Sequence, residues 1–523
     1  MLVMGTSGPK TEIPPLPAPA GPSMPTVERF QLPNGLSVLL MPNHTNPYVE
    51  ARFVTRAGTS VDPTGKEGLA QLTAAMLTNG TSRHDENQVA DLIESMGASV
   101  TANASLDSFE IAGSVVTLEP DDLMVFLDLF TEVVRRPSFP KESFERTKKL
   151  RISALRGMAN NPAALADAGL RALLYAGGAR GRPSTGSLDS LPTLTHEDLS
   201  KFHERVVIPQ HSVLAFAGDF DAAAMRVWIE DTFGDASWGR EVCQPSNRPG
   251  FCAQLCRGNL CYANPLASSS YEDPAAVRAA FQGMEVLVID RGDPNLSQAH
   301  WRLGQDNPVT LLDPQWPAFR LGTQILGGDF TARLNTLLRV REGLTYGAHF
   351  VVDFGVNDSG PMAVSTEVAP RDVRRAIDLS LREVDRIVRE PINPGELESF
   401  RRKIINAFPF KFETITDTLE QYLYLEVAGV PASWLDTYRK RLSSPTHMAV
   451  HESMKTLTPH KMSLVVVGNQ ELASGLAPYG RVRIVSVESF LRSGLTYAVS
   501  AKTKSASPKG KRKKNRKRRR RRR

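Results

Sequence analysis

PQHSVLAFAG at residues 209–218 is answered by PHKMSLVVVG at residues 459–468, an offset of 250. Each passes from a proline through polar residues into a short apolar run that stops at glycine, which is how a strand reads. Three more pairs keep nearly that spacing: Pro47 with Pro294, Gly58 with Gly304, and the helix-ending LTNG at 77–80 with ILGG at 325–328, at 247, 246 and 248 residues. A spacing this constant along the chain is an internal repeat. Each copy carries strands, then helices, then returning strands rather than strict alternation. That order predicts an α+β fold of two homologous domains, each a mainly antiparallel sheet with helices packed on one face. The expected boundaries are 28–238 and 284–496, with a Pro-rich lead over 1–27, a Cys-containing linker over 239–283 and a basic tail over 497–523.

Within the first copy, Asn34-Gly35 marks a hairpin turn between alternating stretches, and 49–56 alternates again. GLAQLTAAMLTNGT at 68–81 predicts a helix of good formers closed by Gly80. Further helices are expected at 86–96, 119–135, 140–158, 161–175 and 195–206, with strands at 99–104, 108–116 and 212–217.

The formal charge of +7 conceals two populations. Residues 502–523 hold fifteen Lys and Arg and no acid, and taking those fifteen from +7 leaves −8 on residues 1–501. The tail has no apolar face and is expected to be disordered. It offers contact with nucleic acid or an acidic surface, but the acidic body lacks the basic and aromatic interleaving of a nucleic-acid reader. No run of eighteen apolar residues predicts a membrane span. The N-terminus carries no secretory signal pattern, so a cell-envelope location would require a start upstream.

LGGDFTARLNTLLRVREGLTYG at 326–347 concentrates the chemically capable groups. Arg333, Arg339 and Arg341 lie among Leu334, Leu337 and Leu338 at near-helical period, Gly343 supplies a stop, and Tyr346 is expected on the following strand. A guanidinium and a phenol seven residues apart across such a turn can converge on one carbonyl oxygen as an oxyanion clamp. The plainer reading is a solvated Arg and a packed Tyr, and structural context decides between them.

All four cysteines, Cys243, Cys252, Cys256 and Cys261, fall in the linker without the paired C-x2-C knuckles of a zinc ribbon. Disulfides, a metal clip and free thiols all remain open; a linker without metal is the favoured expectation. His447 and His451, at i and i+4 with Glu452 following, read as ordinary surface residues, their first-half counterpart being the His196–His203 helix. No Ser/His/Asp or Cys/His arrangement is legible.

The duplicated halves, the GLAxxxxxMLxxGT helix and the LGGxFxxRLxxxLRxxxGLxY stretch together resemble the pitrilysin/insulinase family of zinc peptidases, in its shorter two-domain, processing-peptidase-like form. The resemblance implies an inverted His-x-x-Glu-His motif on the first-half helix: two His on one face ligate zinc, the Glu takes a proton from bound water, and a downstream Glu completes the ligands. Here those positions hold Gln71, Ala74 and Ala75, with the downstream ligand falling near Ala154. Methyl groups cannot ligate zinc and a neutral amide ligates it poorly, so no metal is expected in this chain.

The resemblance also implies that Arg339 and Tyr346 contact substrate and steady the reacting carbonyl, in some members from a subunit other than the one bearing zinc. The expected function is therefore a non-zinc-binding subunit of a heterodimeric metalloendopeptidase. Its zinc-bearing homologous partner would supply the cofactor, and its substrate would be a peptide or unfolded protein. A catalytically inactive scaffold or peptide-binding protein of the same fold is the alternative. In the family the peptide adds as a strand on a sheet edge, here the 95–115 segment with Gly97, Asn103 and Asp107.

Overall fold

The structure, a computed structural model, describes residues 26–119, 121–239, 283–355 and 360–495. It also describes the backbone of Cys256–Arg257 and Leu260–Cys261, which pair as a short antiparallel ladder. The Pro-rich lead to residue 25, most of the Cys-containing linker and the basic tail from 496 lie outside the described residues.

The first sheet contains β1 (Glu28–Gln31), β2 (Ser37–Pro42), β3 (Tyr48–Thr55), β4 (Ser99–Ala104), β5 (Phe109–Val116) and β6 (Ser212–Gly218), in the order β1-β2-β6-β3-β5-β4. Its first turn forms where Asn34-Gly35 predicts. Gly35 takes φ +94, and the Asn34 side chain accepts the Leu36 N–H at 3.2 Å while donating to the Phe233 carbonyl at 2.6 Å. The second sheet contains β7 (Met284–Asp290), β8 (Ala299–Asp306), β9 (Ala348–Val352), β10 (Pro361–Val368), β11 (Ser463–Gly468) and β12 (Gly480–Ser486), in the order β12-β7-β11-β8-β10-β9.

Five strands of each sheet correspond one to one, each set with a single parallel pair, β2 with β6 and β7 with β11. Only the outer strand differs. β1 folds back antiparallel on β2, whereas β12 arrives from the C-terminal side and runs parallel to β7. Register fixes the repeat at 250, because Arg52 lies opposite Ala215 as Arg302 lies opposite Val465. The Gly58 and Gly304 pairing read from sequence does not hold. Gly58 lies beyond β3, while Gly304 sits inside β8 opposite Ala363.

On one face of the first sheet lie α1 (Leu69–Met76), α3 (Asp122–Arg135) and α6 (His196–Val206), sharing a core with Phe53, Ile111 and Leu214. Between α1 and α3 comes α2 (Glu86–Ser95), opened by a capping box in which the Asp85 and Gln88 side chains and backbones satisfy one another. α1 stops at Met76, four residues before Gly80, and the chain turns through Thr81, which bridges to Pro137. α4 (Lys141–Gly157) and α5 (Pro162–Leu174) follow α3, and α7 (Ala222–Phe233) follows β6.

The second half repeats the layer with α8 (Trp316–Gly327), a helical segment α9 (333–341), α10 (Val373–Arg389), α11 (Pro394–Ala407), α12 (Ile415–Val427), α13 (Ser433–Ser443) and α14 (His447–Met454). The short α15 (Leu472–Leu476) precedes β12, and α16 (Val487–Ser493) follows it.

Each sheet is also covered on its second face, by a helix from the other half. α5 packs on β8 and β11, so Leu287, Ile289, Val465 and Val467 join the first core; α12 packs on β6, so Leu39, Met41, Ala215 and Ala217 join the second. The exchange is reciprocal in its ion pairs. Arg302 of β8 meets Asp167 of α5 at 2.6 Å, and Arg52 of β3 meets Glu420 of α12 at 3.6 Å. Burial on both faces is why β6 and β11 are apolar without alternation and buried at every position.

Candidate functional site

Helix α1 presents Gln71 and Ala75 one turn apart, with Ala74 buried between them. The Gln71 amide donates to the Ala104 carbonyl at the end of edge strand β4. Its oxygen and its own backbone carbonyl face the Arg151 guanidinium of α4, at 3.5 and 3.4 Å. Helix α4 therefore brings Arg151 to Gln71, while Ala154, three residues on, is exposed.

Half-burial lowers the Arg151 pKa from the ordinary guanidinium value, and no carboxylate pairs with it among the described residues. A fixed cation beside a neutral amide and a methyl group is the wrong donor set for zinc. Arginine has no lone pair to give at any accessible pH, and its charge repels the ion. The residues at this site do not fit the metal that the resemblance implies. Among the described residues, no group of three or more His, Cys, Asp or Glu could hold a metal ion.

Strand β4 pairs only with β5 among the described strands, leaving an edge. Asn103 is exposed on it, Gly97 enters it at φ +57, and Asp107 in the following turn pairs with Arg180 at 3.7 Å.

The 326–347 stretch is not one helix. Gly327 ends α8, the chain turns at 328–332, and α9 starts as an α-turn at Arg333–Asn335 and widens to a π-turn over Thr336–Arg341. Such wide turns recur at functional sites. Arg333 is structural, its guanidinium held by Glu396 at 2.6 Å and Glu383 at 3.7 Å. Arg339 has no acid partner among the described residues, and its guanidinium lies 4.2 Å over the Phe330 ring, itself 58% exposed. Gly343 takes φ +63 and ends the segment. Tyr346 lies in the turn two residues before β9 rather than on a strand, and its side chain is 80% exposed. Arg339 rests on an exposed ring and Tyr346 packs against nothing among the described residues, so the plain reading of Tyr346 as a core ring fails.

A buried residue that sequence reading missed braces this region. Asn335 donates to the Phe330 carbonyl at 2.6 Å and accepts the Ala348 N–H at 3.1 Å, tying the loop under Arg339 to the strand after Tyr346. Its signal was an Asn in a leucine-rich helix interior, where that residue competes with the backbone for hydrogen bonds.

The His447 and His451 reading needs correction. His451 is buried, with Nε2 2.9 Å from the Val388 carbonyl, just as buried His203 places Nε2 2.9 Å from the Val134 carbonyl. A ring nitrogen donating to a carbonyl keeps its proton and is closed to a metal. The repeat has copied a core hydrogen bond.

Comparison with known proteins accords with this geometry. Residues 37–184 match the family model described as insulinase (peptidase family M16), and residues 193–404 match that of the peptidase M16 inactive domain. A non-peptidase homolog from Helicobacter pylori, YmxG, is 22% identical, the match covering 83% of this chain and 92% of that protein. An uncharacterized zinc protease of Streptomyces coelicolor is 21% identical over 85% of this chain and 90% of its own length. Among solved structures, a peptidase M16 inactive domain from Pseudomonas fluorescens superposes with a TM-score of 0.70 at 25% identity, covering 85% of this chain and 98% of that one.

Proposed function

The chain belongs to the insulinase (M16) family of peptidases, and on that premise we propose that it is the metal-free subunit of a two-chain endopeptidase. In this reading a homologous partner retains His-x-x-Glu-His and zinc, while this chain lends Arg339 and Tyr346 to the peptide carbonyl. One observation carries the proposal: the halves have diverged in opposite senses. The first-half metal positions are occupied by a Gln71–Arg151 pair that repels a cation. The second half keeps an acid-free guanidinium and an exposed phenol on a braced turn, free to meet an oxyanion. The Arg339 guanidinium is held over the Phe330 ring, which does not react, and the Asn335 brace fixes the backbone next to Tyr346.

Isolation of the native complex tests this. Zinc and chelator-sensitive peptide cleavage are expected only when a zinc-bearing homologue is present, with turnover by the mixture well above either chain alone. Cleavage by the partner alone at the full rate would overturn it.

The likeness to the non-peptidase homolog over 92% of that protein favours a second reading, a scaffold or peptide-binding protein without a catalytic role. It predicts a stable complex whose activity ignores Arg339 and Tyr346.

A further inference from the structure

A cleft of about 300 Å³ opens in the second half among α8, α12, α13 and the turn after α11. Its walls are aromatic: the Trp316 ring lies 5.0 Å from Trp434, 6.0 Å from Tyr438 and 6.1 Å from Phe354, centroid to centroid. Two cations share the space, Arg320, one turn along α8 from Trp316, and Lys411. Arg320 is partly buried and desolvation lowers its pKa; Lys411 reaches the cleft from the surface, and partial desolvation and the neighbouring Arg320 charge lower its pKa as well. Among the described residues neither side chain meets a carboxylate or donates a hydrogen bond. A third donor is idle too, since Trp316 is 4% exposed and its indole N–H has no partner.

This arrangement is unbalanced. Two like charges close together in an aromatic cleft lose hydration without gaining a counter-ion, and a buried N–H without an acceptor adds to the cost. By contrast, Arg333 is matched by Glu396 and Arg302 by Asp167. An anion would give both cations a counter-charge. Arginine's fork takes a carboxylate through two parallel hydrogen bonds, and the rings would enclose an apolar, planar remainder. The volume lies at the small end of ligand pockets, which fits a small molecule or a single terminal residue rather than a folded chain.

We propose that this cleft binds an apolar, aromatic carboxylate, its anionic end between Arg320 and Lys411 and its ring against Trp316 and Trp434. The same chemistry is offered by a free aryl-alkanoic acid and by a peptide ending in phenylalanine. The site shares no residue with the Arg339 and Tyr346 turn, and the proposal does not depend on the peptidase reading.

The full-length chain is titrated by tryptophan fluorescence and calorimetry with 3-phenylpropionate, its neutral amide, and a short peptide ending in Phe with a free or an amidated terminus. The acids are expected to bind saturably, and the amides at least about tenfold more weakly, since they lose the charge-assisted bonds. Tighter binding of the peptide acid assigns a chain terminus as ligand; tighter binding of the free acid assigns a small metabolite. Arg320→Met and Lys411→Met should each weaken the acids by about tenfold or more and leave the amides unchanged. Lys411 is exposed, so its variant keeps the fold and decides the matter if Arg320→Met does not. Equal binding of acids and amides, or no saturation by any probe at about 10 mM, would overturn the assignment.

Discussion

The Arg151 guanidinium of α4 lies 3.5 Å from the Gln71 side-chain oxygen of α1, and in the proposed reading this pair sits where a zinc-bearing homologue would hold its metal. Restoring two histidines, Gln71→His with Ala75→His, should therefore give weak zinc binding. Adding Arg151→Glu should tighten it by about 100-fold or more, because it removes a repelling charge and supplies a third ligand. Competition titration with a metal indicator measures this. Equal affinity of the double and triple variants would mean that Arg151 does not face the ion.

Arg339 and Tyr346 make a kinetic prediction. In the mixed complex Arg339→Ala or Tyr346→Phe should lower kcat by about two to three orders of magnitude, the usual cost of losing one oxyanion donor, without changing subunit association. Stopped-flow cleavage assays alongside sedimentation separate the two effects. Unchanged turnover would favour the scaffold reading.

The Asn335 brace predicts a stability effect at the same turn. Asn335→Leu leaves the Phe330 carbonyl and the Ala348 N–H without partners in a buried setting, at a cost of about 1–3 kcal/mol. Hydrogen exchange at Ala348 should accelerate while exchange in the first sheet stays the same.

Two buried groups titrate in opposite senses. Burial pushes Asp62 up to about 7, although its carboxylate accepts the Gly68 and Ala70 N–H groups at the start of α1. The folded chain thus holds a proton that the unfolded chain releases near pH 4. Its stabilising contribution is full in acid and is lost as pH rises towards 7. Burial pushes His203 down to about 4, so the unfolded chain takes a proton first, and stability is lost as pH falls from about 6.5 towards 4. Between pH 7 and 5 the slopes oppose. Asp62→Asn should make the protein less stable on acidification than the parent, and His203→Gln more stable. Each should differ by on the order of 1–2 kcal/mol in calorimetry at the two pH values. Parallel pH profiles for both variants would contradict this.

The exchanged helix gives a packing test. A side-chain carbon added at Gly169 of α5 would come within 2.9 Å of Val465 and 3.1 Å of Ile289 on the second sheet. Replacing glycine inside a helix normally stabilises it, but here the contact with the other half should dominate. Gly169→Leu is expected to destabilise by about 1–3 kcal/mol and to unfold both halves together. A melting temperature at or above that of the parent would show that α5 does not bear on β11.

Much of this architecture is local in origin and could be read from the chain. The apolar runs ending at Gly218 and Gly468, the Asn34-Gly35 turn and the helix patterns are set by periodicity and backbone stereochemistry within a few residues. That Gln71, Ala74 and Ala75 offer neither imidazole nor carboxylate is likewise a matter of residue identity. Sequence failed wherever the answer depended on what stands opposite. Counting along α4 reached Ala154, and only packing shows that Arg151 is the residue brought to Gln71. It read His451 as a surface residue and Tyr346 as part of a strand, because burial belongs to neighbours far along the chain. Its helices on one face of each sheet stand, but it could not foresee that α5 and α12 cross over from the other half to cover the second face. Periodicity records which face of an element avoids water; only the tertiary structure decides which surface covers that face.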